Sequence, residues 1–177
     1  MDWSESIIMR SIRLIALYGM FMAMITLVTM FGMIPILWGY LNLGDTVIML
    51  LATVLPASIM FNLGGIASGL ADMLLAYPQY ALFTFLIKGL EGFFVAMLFR
   101  NLKPPTQRFL PFLIAGFWIA VGYGLVDAFL YQNWGIGVTS FGYNAIQGFT
   151  SAFLAIALSG IITPKLRKLW QNIATHA

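Results

Sequence analysis

Four ionisable residues, Asp72, Lys88, Glu91 and Asp127, stand within long apolar stretches, and a fifth, Asp45, stands at the head of another. A charged side chain near the centre of a bilayer costs about 2.5 to 3.5 kcal/mol even on the lenient insertion scale, so each requires a partner or a water-lined cavity. Lys88 and Glu91 are three apart and share a helix face, from which Lys88 can pair with Glu91 or reach across to Asp72. Asp72, Glu91 and Asp127 cannot all be neutralised by one lysine. A surplus carboxylate must be protonated, hydrated or bound to something cationic, which favours a polar cavity over a set of staples between helices. Thr84 lies one turn before Lys88 on the same face, and Asn144 and Gln147, again three apart, add two amides.

Other chemistries are excluded by what is missing. With no Cys, there is no thiolate nucleophile and no thiolate metal site. The single His, His176, sits one residue from the end, so neither a histidine proton relay nor a Ser-His triad can be built inside the fold. There is no G-x-x-x-x-G-K-[ST] loop, no H-E-x-x-H and no Asp-rich cluster, so the chain is expected to be no enzyme, to hold no metal and to carry no cofactor of its own.

The elements that must position these residues follow from composition. Of 177 residues, 61% are hydrophobic and 8% charged, against about 25% charged in a soluble domain, and the mean hydropathy is +0.92. The expectation is an all-α membrane protein, with residues 1–177 forming one integral membrane domain. With about 20 apolar residues per crossing as the ruler, helices are placed at 12–34, 80–99, 109–131 and 140–163. The stretch 45–77 is broken by Pro56 and by Asn62, Gly64 and Gly65, giving either two short helices or a re-entrant pair.

Eight of the nine basic residues fall in three clusters: Arg10 and Arg13; Arg100, Lys103 and Arg108; Lys165, Arg167 and Lys168. The positive-inside rule puts all three in the cytoplasm, and an even number of crossings between them gives six transmembrane helices with both termini inside. The net charge of +3 is therefore topological and no sign of nucleic-acid binding. The acidic first residues, Asp2 and Glu5, and the lack of an A-x-A-like site argue against a cleaved leader. Lys103, Pro104 and Pro105 mark a turn.

In this topology Asp45 stands at the outer mouth of helix 2, while Lys88 and Glu91 lie roughly 12 and 16 Å below the outer end of helix 4. The charges form a funnel open to the outside, with no matching path from the cytoplasm. Tyr40, Tyr77, Tyr80, Tyr123, Tyr131, Tyr143, Trp38 and Trp134 fall in the same half, Tyr77, Tyr80 and Tyr131 reading as an interfacial belt. Trp38, beside Asn42 and Asp45, is placed to cover a cavity mouth and stack on a planar ligand.

The run Asn42-Leu43-Gly44-Asp45, the run Gly64-Gly65-Ile66-Ala67-Ser68-Gly69-Leu70-Ala71-Asp72 and the segment Lys88-Gly89-Leu90-Glu91-Gly92, set among six short helices, resemble the substrate-binding S components of energy-coupling factor (ECF) vitamin transporters. Lys88 to Gly92 looks most like the branch assigned to hydroxymethylpyrimidine or pyridoxine. The resemblance implies a multi-pass protein of a prokaryotic plasma membrane that binds a vitamin from the outside. Its partners would be a transmembrane scaffold subunit and two cytoplasmic ATPases, which alone would use ATP and Mg. It also implies pocket roles for Trp38, Asn42, Asp45, Thr84, Lys88, Glu91, Tyr123, Asp127, Asn144 and Gln147. Docking would use small residues of helix 1, Ala16, Gly19 and Ala23, with Gly in the first place of the usual Ala-x-x-x-Ala pair. The alternative is a self-sufficient proton-coupled carrier in which Asp72, Glu91 and Asp127 load and unload protons.

Overall fold

The structure, a computed structural model, describes residues 3–37, 39–102 and 108–175. Trp38, the turn at Lys103, Pro104 and Pro105, and His176 lie outside the described residues. The element order is α1 (Trp3–Phe31), β1 (Ile34–Ile36), β2 (Gly39–Leu41), α2 (Gly44–Ala52), α3 (Ala57–Leu74), α4 (Pro78–Asn101), α5 (Leu110–Leu130) and α6 (Trp134–Thr175). Five of these helices are long and apolar enough to cross a membrane. The sixth, α2, has nine residues and rises only ~13.5 Å, too little to cross by itself.

The polarity of the bundle is that of a protein dissolved in lipid. Ile15, Phe31, Leu82, Val138 and Phe153 are exposed, whereas Asp45, Ser68, Asp72, Lys88, Glu91 and Asp127 are buried. Backbone groups are satisfied within helices, as a hydrocarbon solvent requires. Beneath the ionic residues, Ile48, Met49, Met60, Val95, Phe112 and Ile119 pack into one continuous apolar core.

Glycines set how closely the helices approach. A Cβ on Gly64 would lie 2.7 Å from the Lys88 carbonyl oxygen, and one on Gly65 would lie 2.6 Å from that of Phe85. Only a residue without a side chain fits there, so α3 is pressed directly against the turn of α4 that carries Lys88. Gly65 and Gly69 thus serve packing within the chain. Between α5 and α6, Gly116 and Gly148 do the same.

Several boundaries differ from the sequence reading. Helix 1 stops at Phe31 rather than at residue 34, and the segment that follows is a β-hairpin, Ile34 pairing with Leu41 and Ile36 with Gly39. Helix 6 begins at Trp134 and continues past Pro164 to Thr175. A proline removes one N–H and crowds the carbonyl four residues earlier, but here that residue is Gly160, which is exposed, and a Cβ there would meet nothing within 4 Å. Pro56 separates α2 from α3, its extended ψ of 147° capping the latter.

The largest correction concerns depth. Asp45 was expected at the outer mouth; it is fully buried against Lys88, ten residues or ~15 Å along α4 from Pro78. The chain descends after the hairpin and starts α2 inside the bundle, where the Asn42 side-chain oxygen accepts the Gly44 N–H at 2.9 Å. The following turn reaches the far end of the bundle, where Arg100 donates to the Val54 carbonyl at 2.9 Å. Tyr18 of α1 stacks on Trp170 of α6, with 6.1 Å between centroids, so the start of α1 and the end of α6 share that end.

Candidate binding site

At the opposite end, a cavity opens between the hairpin and helices α1 and α3 to α6. It encloses about 40 Å³, within a cleft of about 500 Å³ that includes its open mouth. Of the ten residues expected at a site, seven line it: Asn42, Thr84, Lys88, Tyr123, Asp127, Asn144 and Gln147. Asp45 and Glu91 do not. They lie behind Lys88, and Trp38 lies outside the described residues.

The floor is an ionic knot. Lys88 donates to Asp45 rather than to Asp72, and its ammonium is 3.7 Å from Glu91. Gln147 ties three elements together: its Nε2 donates to the second Asp45 oxygen at 2.7 Å while its Oε1 accepts the Asn42 N–H at 2.9 Å. This side chain fixes the base of the hairpin to α6 and α2 at once. Glu91 is fully buried, and neither of its oxygens has a hydrogen-bond partner among the described residues. The Lys88 ammonium also stands 5.3 Å from the centroid of the Tyr123 ring, a cation-π distance, and the Tyr123 hydroxyl meets Thr84 at 3.0 Å.

The walls carry the two remaining acids. Tyr80 donates to Asp127 at 2.6 Å, and Tyr40 of the hairpin donates to Asp72 on α3. Burial and then the neighbouring Asp72 charge raise the Tyr40 phenol above its usual range, so it remains a donor across ordinary pH. The other Asp72 oxygen, Oδ2, has no hydrogen-bond partner among the described residues. Asn144 donates to the Ser140 carbonyl at 3.0 Å from within its own helix.

Tyr77 and Tyr80, read from sequence as interfacial belt, line the cavity, together with Tyr40, Asp72, Ser68 and Thr29. Their signal was in the sequence as the concentration of tyrosines in one half, but helix spacing alone does not separate a ring facing lipid from one facing a cavity. Tyr131 and Trp134 are exposed, as a belt requires. On the outside of α1, Ala16, Gly19 and Ala23 are all exposed, and a Cβ on Gly19 would meet nothing within 4 Å.

Chemically the cavity offers two carboxylates, three amides, hydroxyls and one ammonium around a ring of tyrosines. That set suits a small planar molecule bearing several hydrogen-bond donors and acceptors. Residues 9–164 match the family model for the S component of the ECF-type riboflavin transporter. The chain is also 33% identical over 144 residues to an "uncharacterized protein in gap 3'region" of Pyrococcus woesei, covering 80% of this chain and 96% of that protein.

Proposed function

The chain belongs to the family of ECF-type riboflavin transporter S components, and on that premise we propose that it captures a single-ring water-soluble vitamin or precursor of the pyridoxine or hydroxymethylpyrimidine kind. As a multi-pass S component it is the substrate-binding part of a transporter and belongs to no catalytic family. In the proposed cycle the ring enters from the outside of a prokaryotic plasma membrane and lies among Tyr40, Tyr77, Tyr80 and Tyr123. Asp72 and Asp127 accept its hydroxyl or amino donors, and Asn144 takes part of its polar edge. Ala16, Gly19 and Ala23 dock on a scaffold subunit whose two ATPases supply the energy.

The observation that carries this reading is a closed polar ring at one end of an apolar bundle, containing an acid oxygen with no partner among the described residues. The apolar core below the ionic knot favours a receptor over a carrier that loads protons from both sides.

Titration of the purified protein with pyridoxine, hydroxymethylpyrimidine, thiamine and riboflavin, followed by intrinsic fluorescence, tests it. A single-ring compound is expected to bind saturably with nanomolar Kd and without ATP. Tight binding of riboflavin alone would replace the substrate assignment and leave the receptor role standing. Absence of binding by any vitamin, with uptake into liposomes by this chain alone under a proton gradient, would replace the role itself.

A further inference from the structure

A second recess lies at the opposite end of the bundle, a groove of about 660 Å³ between α4, α5 and α6. Its character changes along its length. Phe99, Phe112 and Ile156 form an apolar portion, and Arg108, Arg167 and Lys168 form a cationic one. From Ile156 to Lys168 the groove follows α6 for roughly 18 Å, running from the apolar span to the helix extension beyond Pro164. The Arg108 guanidinium is held 5.8 Å from the centroid of the Phe99 ring, at the boundary between the two portions.

No protein acid balances this charge. The sequence has no Asp or Glu after Asp127, and among the described residues no acid forms an ion pair with Arg108, Arg167 or Lys168. A topological bias toward basic residues explains their presence at this end. It does not explain why three of them converge on one apolar groove while Lys165 stays outside it.

We infer that this groove holds one anionic phospholipid, with its phosphodiester among Arg108, Arg167 and Lys168 and an acyl chain along Phe112 and Ile156. Basic recesses between helices at a membrane surface are suited to such headgroups. The apolar half distinguishes a lipid from a free phosphate, which would use only the cationic end.

Native mass spectrometry of the full chain in detergent, with dioleoylphosphatidylglycerol or dioleoylphosphatidylcholine at equal mole fraction, tests this. One retained phosphatidylglycerol is expected, and no retained phosphatidylcholine. In the triple variant Arg108→Gln, Arg167→Gln, Lys168→Gln, retention falls roughly a hundred-fold, from about five-fold per charge. Gly160→Leu, which fills the apolar half at a position where a Cβ meets nothing within 4 Å, lowers retention with no change of charge. Lys165→Gln leaves retention unchanged. Unaltered thermal melting shows that each variant is folded.

Equal retention of phosphatidylcholine would overturn the inference. So would a loss for Lys165→Gln as large as for a groove residue, since that is surface electrostatics alone. Displacement by glycerol phosphate as effective as by the lipid would make it a free-anion site. Retention of lipid unchanged by Gly160→Leu would remove the acyl chain from the groove.

Discussion

Lys88→Met is expected to destabilise the protein by about 3–5 kcal/mol, the cost of leaving a buried charge without its partner. Among the described residues, the ammonium is the one cation beside two fully buried carboxylates, Asp45 and Glu91. Once it is removed, Asp45 keeps the Gln147 amide, while Glu91 keeps no donor among the described residues. Thermal unfolding in detergent, followed by near-UV circular dichroism, measures the loss. Adding Asp45→Asn to Lys88→Met removes one of the two stranded charges and should recover part of the stability. A single variant that melts with the wild type would mean that the knot contributes nothing.

Asp72→Asn should weaken vitamin binding by about 10- to 150-fold, the range for losing a hydrogen bond to a charged group of ~1.5–3 kcal/mol. The substitution keeps an acceptor oxygen for the Tyr40 hydroxyl and the shape of the wall, but takes the charge from the Oδ2 that has no partner among the described residues. Isothermal titration measures the affinity. Tyr40→Phe separates the two roles open to Asp72. If the acid only anchors the hairpin, Tyr40→Phe weakens binding while Asp72→Asn, which keeps the acceptor, costs little; if it meets the ligand, Asp72→Asn costs much more.

The sequence announced an all-α membrane protein and seven of the fifteen residues that line the cavity, because ionic residues in apolar helices are too costly to be incidental. Asn42, Thr84, Lys88, Tyr123, Asp127, Asn144 and Gln147 line one recess although they come from three helices and the loop before α2. What it did not show depends on depth and on long-range pairing. The Lys88 partner is Asp45, 43 residues away, and this pairing requires α2 to begin inside the bundle, a descent that helix periodicity does not encode. Gln147 reaches Asn42 across 105 residues for the same reason. The hairpin was hidden because its strands have three residues each, one containing Pro35, too short for an alternating pattern to register. Helix 6 also continues past Pro164 to Thr175, where a proline by itself reads as a stop.

The central claim is that the vitamin occupies the recess at the hairpin end. Because the native chain has no Cys, a single Ser68→Cys places the only thiol on that wall, and Ser159→Cys places one in the basic groove at the other end. With the bound single-ring vitamin at ~10 times its Kd, mass action predicts that modification of Ser68→Cys by a methanethiosulfonate reagent slows about 11-fold. Modification of Ser159→Cys should keep its rate. An unchanged rate at Ser68→Cys under saturating vitamin, or protection at Ser159→Cys instead, would contradict the account.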